Sequence, residues 1–267
     1  MVQRDMDAIS HHYYTIPSGV WANKGNALGF PESEWISTLK RTMLVDGYIA
    51  KNEAVLEKND PQNKVAFYVD EWGTWYSPEP GREPGFLWQQ NSLRDALVAA
   101  INFNIFHAHA KRVQMTNIAQ MVNVLQAMIL TEGPKMALTP TYHVFQMYIP
   151  FQGATFLPTE IQTPEYTLGP DSVPAVTVTA ARDTAGKLQL GVVNLDPKRE
   201  AVVTADVTGV QVKGASGRVL TAKAMDAHNT VDAPEAVKPA AFSAKRSGGK
   251  LVLRLPPKSV AVVALEQ

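Results

Sequence analysis

Residues 65–76, with the sequence VAFYVDEWGTWY, decide the fold of the amino-terminal part of this chain. The five apolar residues from Val65 to Val69 are typical of a strand that is buried on both faces. This strand runs directly into Asp70 and Glu71 and then into two tryptophans around a glycine. In a parallel barrel the catalytic groups lie at the carboxyl ends of the strands, which is where Glu71 falls.

The sequence around this strand alternates between strand-like and helix-like patterns. Apolar spacing predicts a helix over residues 35–56 and a second over residues 92–106, with Ser92 as its cap. Residues 112–115 have the pattern of a strand, and an apolar helix is predicted over residues 119–130. Strands that alternate with helices predict a parallel sheet with crossover helices.

The composition changes near residue 150, beyond which tryptophan is absent and Val, Thr, Ala, Gly and Pro predominate. Short strand-like runs, separated by turn signals, predict an antiparallel β-sandwich in this part. The runs are residues 176–179, 187–193, 202–207, 251–255 and 260–265. We therefore expect an α/β domain over residues 1–150 and an all-β domain over residues 151–267.

Charge and composition exclude several classes of protein. The chain has 25 basic and 25 acidic side chains, so it lacks the excess positive charge of a nucleic-acid-binding protein. It has no cysteine, which excludes disulfides and thiolate metal sites, and no apolar run long enough to cross a membrane. The charged segment Met1–Asp7 predicts no signal peptide, and we expect a cytoplasmic protein without a membrane partner.

The histidines do not have the pattern of a metal site. His11 and His12 are adjacent, so on a strand they point to opposite faces and cannot readily share one ion. Tyr14 lies on the same face as His12, and this face either lines a site or packs against the protein interior. His107 and His109 have no third ligand nearby in sequence, and we interpret them as structural. No metal or cofactor is expected.

Two further features are compatible with sugar binding. Aromatic rings beside a carboxylate, as at Glu71, form a platform for sugar rings, although a solvated acidic pair beside core tryptophans has the same pattern. The segment TNIAQ at residues 116–120 follows the third predicted strand and offers amides for sugar hydroxyls or for a helix cap. Asn117 is the better capping candidate, and Gln120 is the better ligand contact.

Together, three segments resemble glycoside hydrolase family 51, the α-L-arabinofuranosidases. They are DAISHHYY at 7–14, YVDEWGTWY at 68–76 and TNIAQMVN at 116–123, and they look like the last three barrel strands of that family. The closing segment LPPKSV at 255–260 resembles the end of its carboxy-terminal sandwich. The resemblance implies a partial (β/α)8 barrel, about strands six to eight, followed by an antiparallel β-sandwich.

The resemblance also implies an activity, the release of terminal α-L-arabinofuranosyl groups from arabinan or arabinoxylan by a retaining glycosidase. By this resemblance, Glu71 is the nucleophile, and His12 and Tyr14 match residues that hydrogen-bond around the nucleophile and the sugar. Trp75 matches an aromatic wall of the sugar pocket, and Gln120 matches a polar contact to the sugar. His11 is a departure, because an apolar residue is usual there.

The second carboxyl group of a retaining glycosidase has no counterpart in this sequence. In the family, the acid/base glutamate lies in an Asn-Glu pair at the end of barrel strand four, whereas this chain starts at about strand six. Its only such pair, Asn52-Glu53, falls within a predicted helix, so the acid/base residue is unknown. The alternative is therefore a catalytically incomplete fragment or a non-catalytic sugar-binding remnant. Intact relatives are commonly homo-oligomers, which suggests the same here.

Overall fold

Two β-sheets organise the fold in the computed structural model, which describes residues 6–267. One is a three-stranded parallel sheet near the amino terminus, and the other is an eight-stranded antiparallel sheet that lies beyond residue 150. Most of the Met1–Asp7 segment, on which the prediction of no signal peptide rests, lies outside the described residues. Among residues 6–267, no helix has the length and apolar character needed to span a bilayer.

The parallel sheet has β2 at its centre, with β1 and β3 paired to its two sides. Helices connect these strands, as the alternating sequence pattern predicts. The elements are β1 (Ala8–Thr15), α1 (Glu32–Thr42), α2 (Leu44–Asn59), β2 (Ala66–Thr74), α3 (Leu93–Ala108) and β3 (Val113–Ile118). Helix α3 begins at the predicted place with a complete capping box, in which the Ser92 backbone N–H donates to Asp95 Oδ2 at 2.7 Å.

Two of the predicted helices differ from the structure. The helix predicted over residues 35–56 is two helices, α1 and α2, with Met43 between them. The helix predicted over residues 119–130 is wrong, because the chain there forms an irregular loop and then a hairpin of β4 (Ile129–Glu132) and β5 (Lys135–Leu138). Asn123 and Leu125 have left-handed φ values of 59° and 50°, which a right-handed helix does not allow.

The antiparallel sheet contains all five of the strands predicted beyond residue 150. Its order is β11-β14-β13-β12-β15-β10-β9-β6, so hydrogen bonds join the predicted two-sheet sandwich into one continuous sheet. Helix α4 (Pro140–Tyr148) leads into it, and a hairpin of β7 (Glu165–Leu168) and β8 (Asp171–Pro174) stands apart from it. Its strands are β6 (Thr155–Leu157), β9 (Val176–Arg182), β10 (Leu188–Asn194), β11 (Ala201–Ala205), β12 (Gly214–Leu220), β13 (Ala240–Ser247), β14 (Lys250–Leu255) and β15 (Ser259–Glu266).

Helix α3 joins the two sheets. It is apolar on nearly all sides and its first ten residues are buried, which is the pattern of a helix inside a core. Its Asn104 Nδ2 donates to Thr177 Oγ1 of β9 at 3.0 Å, and Tyr148 at the end of α4 donates to Asn104 Oδ1 at 2.9 Å. From α1, Trp35 Nε1 donates to the Leu195 carbonyl at 3.0 Å. The two parts therefore share one core.

His107 lies in this junction, near the end of α3. Its ring stacks on Phe151 with a centroid distance of 4.8 Å, and its Nδ1 lies 3.2 Å from Thr179 Oγ1 of β9. Burial lowers the pKa of His107 to about 4, so the ring is neutral in the folded protein near pH 7. The sequence-based interpretation of His107 as structural agrees with this packing.

We expect His107 to make the folded state less stable in acid. Because its pKa is about 4 in the folded protein, against an ordinary histidine pKa of 6.5, the unfolded chain binds the proton first as pH falls. Its stabilising contribution is present above pH 6.5 and is lost as pH falls towards 4, by at most about 3 kcal/mol. His107→Phe should flatten the decline in the free energy of unfolding between pH 7 and 4, measured by urea denaturation. An unchanged slope would contradict this assignment.

Candidate active site

The pairing of β1 with β2 brings His12 beside Asp70 and Glu71, which lie within β2 and not just beyond it as the sequence predicted. The register shifts between Ser10 and His12, so that His12 lies opposite Glu71. His12 Nδ1 is 3.0 Å from Glu71 Oε2, and its Nε2 is 3.5 Å from Asp70 Oδ1. Ser10 Oγ donates to Asp70 Oδ1 at 2.7 Å, and this bond is the main reason why the pKa of Asp70 is lowered.

Tyr14 completes the polar contacts of Glu71. Burial first, and then the charge of Glu71, raise the pKa of Tyr14. Its hydroxyl therefore stays protonated and donates a hydrogen bond to the Glu71 carboxylate. The Trp75 ring meets Tyr14 edge to face at a centroid distance of 5.0 Å. The structure thus gathers four of the five predicted site residues, His12, Tyr14, Glu71 and Trp75, into one cluster.

Gln120, the fifth predicted residue, lies just beyond β3 and is exposed. The preceding residue, Ala119, donates its backbone N–H to the Trp72 carbonyl of β2 at 2.8 Å, which places Gln120 at the same end of the sheet. Asn117 lies inside β3. Its predicted capping role is wrong, because the helix that it would cap does not form.

A buried carboxylate lies beneath the end of β2. Asp95, at the start of α3, is fully buried. Its Oδ1 accepts hydrogen bonds from Thr74 Oγ1 at 2.6 Å and from the Tyr76 hydroxyl at 2.8 Å. Its Oδ2 accepts the Ser92 backbone N–H. Trp75 lies between Thr74 and Tyr76, so the bonds on either side of it fix where its backbone runs.

Arg94 and Gln126 extend this buried network. The Arg94 side chain is fully buried, its Nε donates to the Tyr76 hydroxyl at 3.1 Å, and its Nη1 lies 3.8 Å from Glu34 Oε2. Gln126 Oε1 accepts the Thr74 backbone N–H at 2.9 Å, and its Nε2 donates to the Asp95 carbonyl at 2.8 Å. The loop that follows β3 is thereby tied to the end of β2.

Trp21 and Lys24 form the outer side of the aromatic wall, and the sequence did not identify them. The Trp21 ring meets Trp75 at a centroid distance of 4.8 Å. Lys24 Nζ lies 4.6 Å from the Trp21 centroid and 5.7 Å from that of Trp75. The residues around Lys24 have the pattern of an ordinary turn. Nothing in this local sequence indicates that the turn packs against the end of β2. The spacing of Trp21 and Lys24, three residues apart, was the only local signal for this contact.

His109 has acidic partners that its sequence neighbourhood did not reveal. Its Nδ1 is 2.7 Å from Glu53 Oε2, and its Nε2 is 2.9 Å from Asp46 Oδ1, both from α2. Hydrogen bonding, first with Asp46, raises the pKa of His109. Glu53 is thus engaged by His109, in keeping with its not being assigned the acid/base role. Within residues 6–267, no group of three or more acidic, histidine or cysteine side chains could hold a metal.

Comparison with known families identifies the chain. The family model for the α-L-arabinofuranosidase C-terminal domain matches residues 70–259. The chain therefore belongs to this family, and it corresponds to the carboxy-terminal half of family 51 glycoside hydrolases, as the sequence motifs suggest.

The relatives agree with this assignment. An intracellular exo-α-L-arabinofuranosidase of Bacteroides ovatus is 38% identical over 263 residues, covering 98% of this chain and 51% of that protein. A crystal structure of the family 51 arabinofuranosidase from Xanthomonas axonopodis pv. citri is 50% identical, with a TM-score of 0.96 over 99% of this chain and 54% of that one. A family 51 enzyme from Bifidobacterium longum, 24% identical with a TM-score of 0.81, shares the fold over 99% of this chain and 54% of that one. The chain spans about half the length of the Bacteroides relative.

Replacing the buried carboxylate should destabilise the site and the fold together. Asp95→Asn replaces one carboxylate oxygen by an NH2 group, which cannot accept the hydrogen bonds that this oxygen accepts in the parent protein. The buried donors are then left unpaired. We expect a loss of about 2 kcal/mol or more in the free energy of unfolding, measured by urea denaturation. Asp232→Asn is the matched control, because its side chain is 77% exposed and pairs with Lys135 at the surface. Equal effects of the two substitutions would argue against this network.

Proposed function

We propose that the chain forms the carboxy-terminal half of a retaining α-L-arabinofuranosidase. In this proposal β1, β2 and β3 are about strands six to eight of a (β/α)8 barrel, which ends near residue 150, and residues 151–267 form the β domain that follows. The parallel pairing of the three strands and the helices between them support this interpretation. The start of the antiparallel sheet at β6 supports the boundary.

The outer surfaces of the α/β part support a missing barrel half. In the described part of the chain, β1 and β3 are edge strands, because each pairs with a strand on one side only. All-parallel sheets usually belong to larger sheets or barrels whose faces are covered by helices. Helix α2 exposes Leu44, Tyr48 and Val55, with Val55 at 62%. Such apolar side chains suit a neighbouring barrel element. That half would come from preceding sequence or from a separate chain, because further copies of this chain would still lack the acid/base residue.

Glu71 carries the proposed chemistry, and its contacts with His12 and Tyr14 are the observation on which the proposal rests. The Glu71 carboxylate attacks the anomeric carbon of the arabinofuranosyl group and forms an ester bond, while the bond to the leaving oxygen breaks. An acid from the other barrel half gives that oxygen its proton. Water then attacks the same carbon, loses its proton to the same group acting as base, and releases arabinose and free Glu71.

The neighbouring side chains have supporting roles in this proposal. His12 and Tyr14 hold the Glu71 carboxylate in one orientation, which preorganises it for attack. Trp75 forms the aromatic wall of the sugar pocket, and Gln120 contacts sugar hydroxyls. The substrates are arabinose-containing oligo- or polysaccharides of the arabinan or arabinoxylan type. The name of the Bacteroides relative supports an intracellular location.

Glu71→Gln tests this function in a complete barrel. The chain would be fused behind the amino-terminal half of the Xanthomonas arabinofuranosidase, whose carboxy-terminal part it matches at 50% identity. We expect this fusion to hydrolyse 4-nitrophenyl α-L-arabinofuranoside, and Glu71→Gln to lower kcat by a factor on the order of 10³ or more, because the amide is not a nucleophile.

The matched control is Glu160→Gln, an exposed glutamate in an irregular segment, which should leave kcat unchanged. Hydrolysis by the Glu71→Gln fusion at the parent rate would refute the nucleophile assignment. A fusion that folds, as judged by circular dichroism, but hydrolyses nothing would instead favour the alternative of a non-catalytic sugar-binding remnant.

A further inference from the structure

The side chain of Gln126 joins the loop that follows β3 to three other elements. It is fully buried. Its Oε1 accepts the backbone N–H of Thr74 in β2 at 2.9 Å, while its Nε2 donates to the Asp95 carbonyl of α3 at 2.8 Å and to Thr141 Oγ1 of α4 at 3.1 Å. Both N–H groups of the amide are therefore used, and an apolar side chain of the same size could make none of these bonds.

Gly73 allows Gln126 to pack directly against the backbone of β2. A Cβ atom at Gly73 would lie 3.1 Å from Gln126 Cβ and 3.3 Å from Gln126 Oε1, which is closer than ordinary van der Waals contact. The Gly73 φ of 151° is also one that other residues rarely adopt. Because Gly73 lies two residues after Glu71, Gln126 is anchored to the part of β2 that carries the proposed nucleophile.

Backbone hydrogen bonds connect Gln126 to Gln120. The Gln126 N–H donates at 2.9 Å to the carbonyl of Ala119, the residue before Gln120. The Gln120 N–H donates to the Val124 carbonyl at 3.1 Å, and the Gln120 carbonyl accepts the Met128 N–H at 3.3 Å. The loop over residues 119–128 is thus closed on itself, and the Gln126 side chain is one of its attachments to β2.

The same loop contains two backbone conformations that need support from their surroundings. Asn123 and Leu125 have left-handed φ values of 59° and 50°. A residue with a side chain keeps such a conformation only where neighbouring contacts fix it. The bonds of Gln126, directly after Leu125, supply such contacts. Without them we expect the loop to relax and Gln120 to leave its place at the end of the sheet.

We propose that Gln126 is a positioning residue of the candidate site, which acts through Gln120 by holding the loop that carries it against the strand that carries Glu71. Gln126 itself does not touch the sugar. The inference rests on the proposed function, because that function gives Gln120 its contact with sugar hydroxyls. A contact made equally in the ground state and the transition state contributes to KM and not to kcat.

The kinetics of Gln126→Leu in the fusion with the Xanthomonas amino-terminal half test this role. On 4-nitrophenyl α-L-arabinofuranoside we expect KM to rise about tenfold, as for the loss of one hydrogen bond, with kcat changed by less than about threefold. Gln126→Glu, which keeps the acceptor for Thr74 but loses the two N–H donors, should raise KM by a smaller factor. An unchanged KM in the folded Gln126→Leu fusion would overturn the proposal.

A double-mutant cycle with Gln120→Ala shows whether Gln126 acts through Gln120. Once the Gln120 amide is removed, Gln126→Leu should change KM by less than about twofold, because no contact is left to misplace. Effects that multiply in full would contradict the proposal. Gln189→Leu is the matched control, because Gln189 is also buried but lies in β10 and donates to Asp183 Oδ2. A KM raised equally by Gln189→Leu would show a general loss of stability instead of positioning.

Amide hydrogen exchange of the 267-residue chain separates this inference from the proposed function, since it needs no sugar. Gln126→Leu should accelerate exchange of the Gln120 amide by at least about tenfold, and Gln189→Leu should not. Equal exchange in the parent and Gln126→Leu would refute the positioning role, whatever the activity of the fusion. If Glu71→Gln keeps the parent activity while Gln120 and Gln126 remain coupled in KM, the nucleophile assignment fails and the positioning role stands.

Discussion

The buried carboxylate of Asp95 is the constraint on which the arrangement of the candidate site depends. A buried charge is costly unless hydrogen bonds satisfy it, and here Thr74, Tyr76 and Ser92 supply them. Neighbouring side chains on an extended backbone point to opposite faces. Because Thr74 and Tyr76 point inwards to Asp95, Trp75 points to the outer face. The polar core beneath the sheet thus sets the orientation of the aromatic wall above it.

Helix α3 transmits this constraint to the rest of the molecule. Its first turn carries Asp95, and its last turns carry Asn104 and His107 against β9. One buried helix therefore holds the end of β2 and also anchors the antiparallel sheet. The antiparallel sheet thus supports the candidate site through α3, although none of the predicted site residues lies on this sheet.

Local signals predicted much of this fold, whereas contacts between distant segments were not predictable. The Ser92 cap and the apolar run that begins β2 are local signals, and both elements form there, although β2 continues through Asp70 and Glu71 to Thr74. The loop at residues 119–128 was mistaken for a helix because its apolar spacing is helical, while the amide of Gln126 is drawn into the buried network. Strand β12 was not predicted, because Lys213 and Gly214 at its start have the pattern of an ordinary turn. Gly217 is needed there, since a Cβ atom would lie 2.0 Å from the Val262 carbonyl oxygen.

The carboxylates around His12 explain why the proposed chemistry needs a second barrel half. Retaining hydrolysis requires one ionised and one protonated carboxyl group, about 5–5.5 Å apart. Asp70 is the carboxylate that shares His12 with Glu71, but the hydrogen bond from Ser10 lowers its pKa and keeps it ionised. It is therefore suited to orienting His12 and not to giving a proton to a leaving group. Glu71 and His12 have side chains 36% and 54% exposed, so the cluster is accessible to a further carboxyl group.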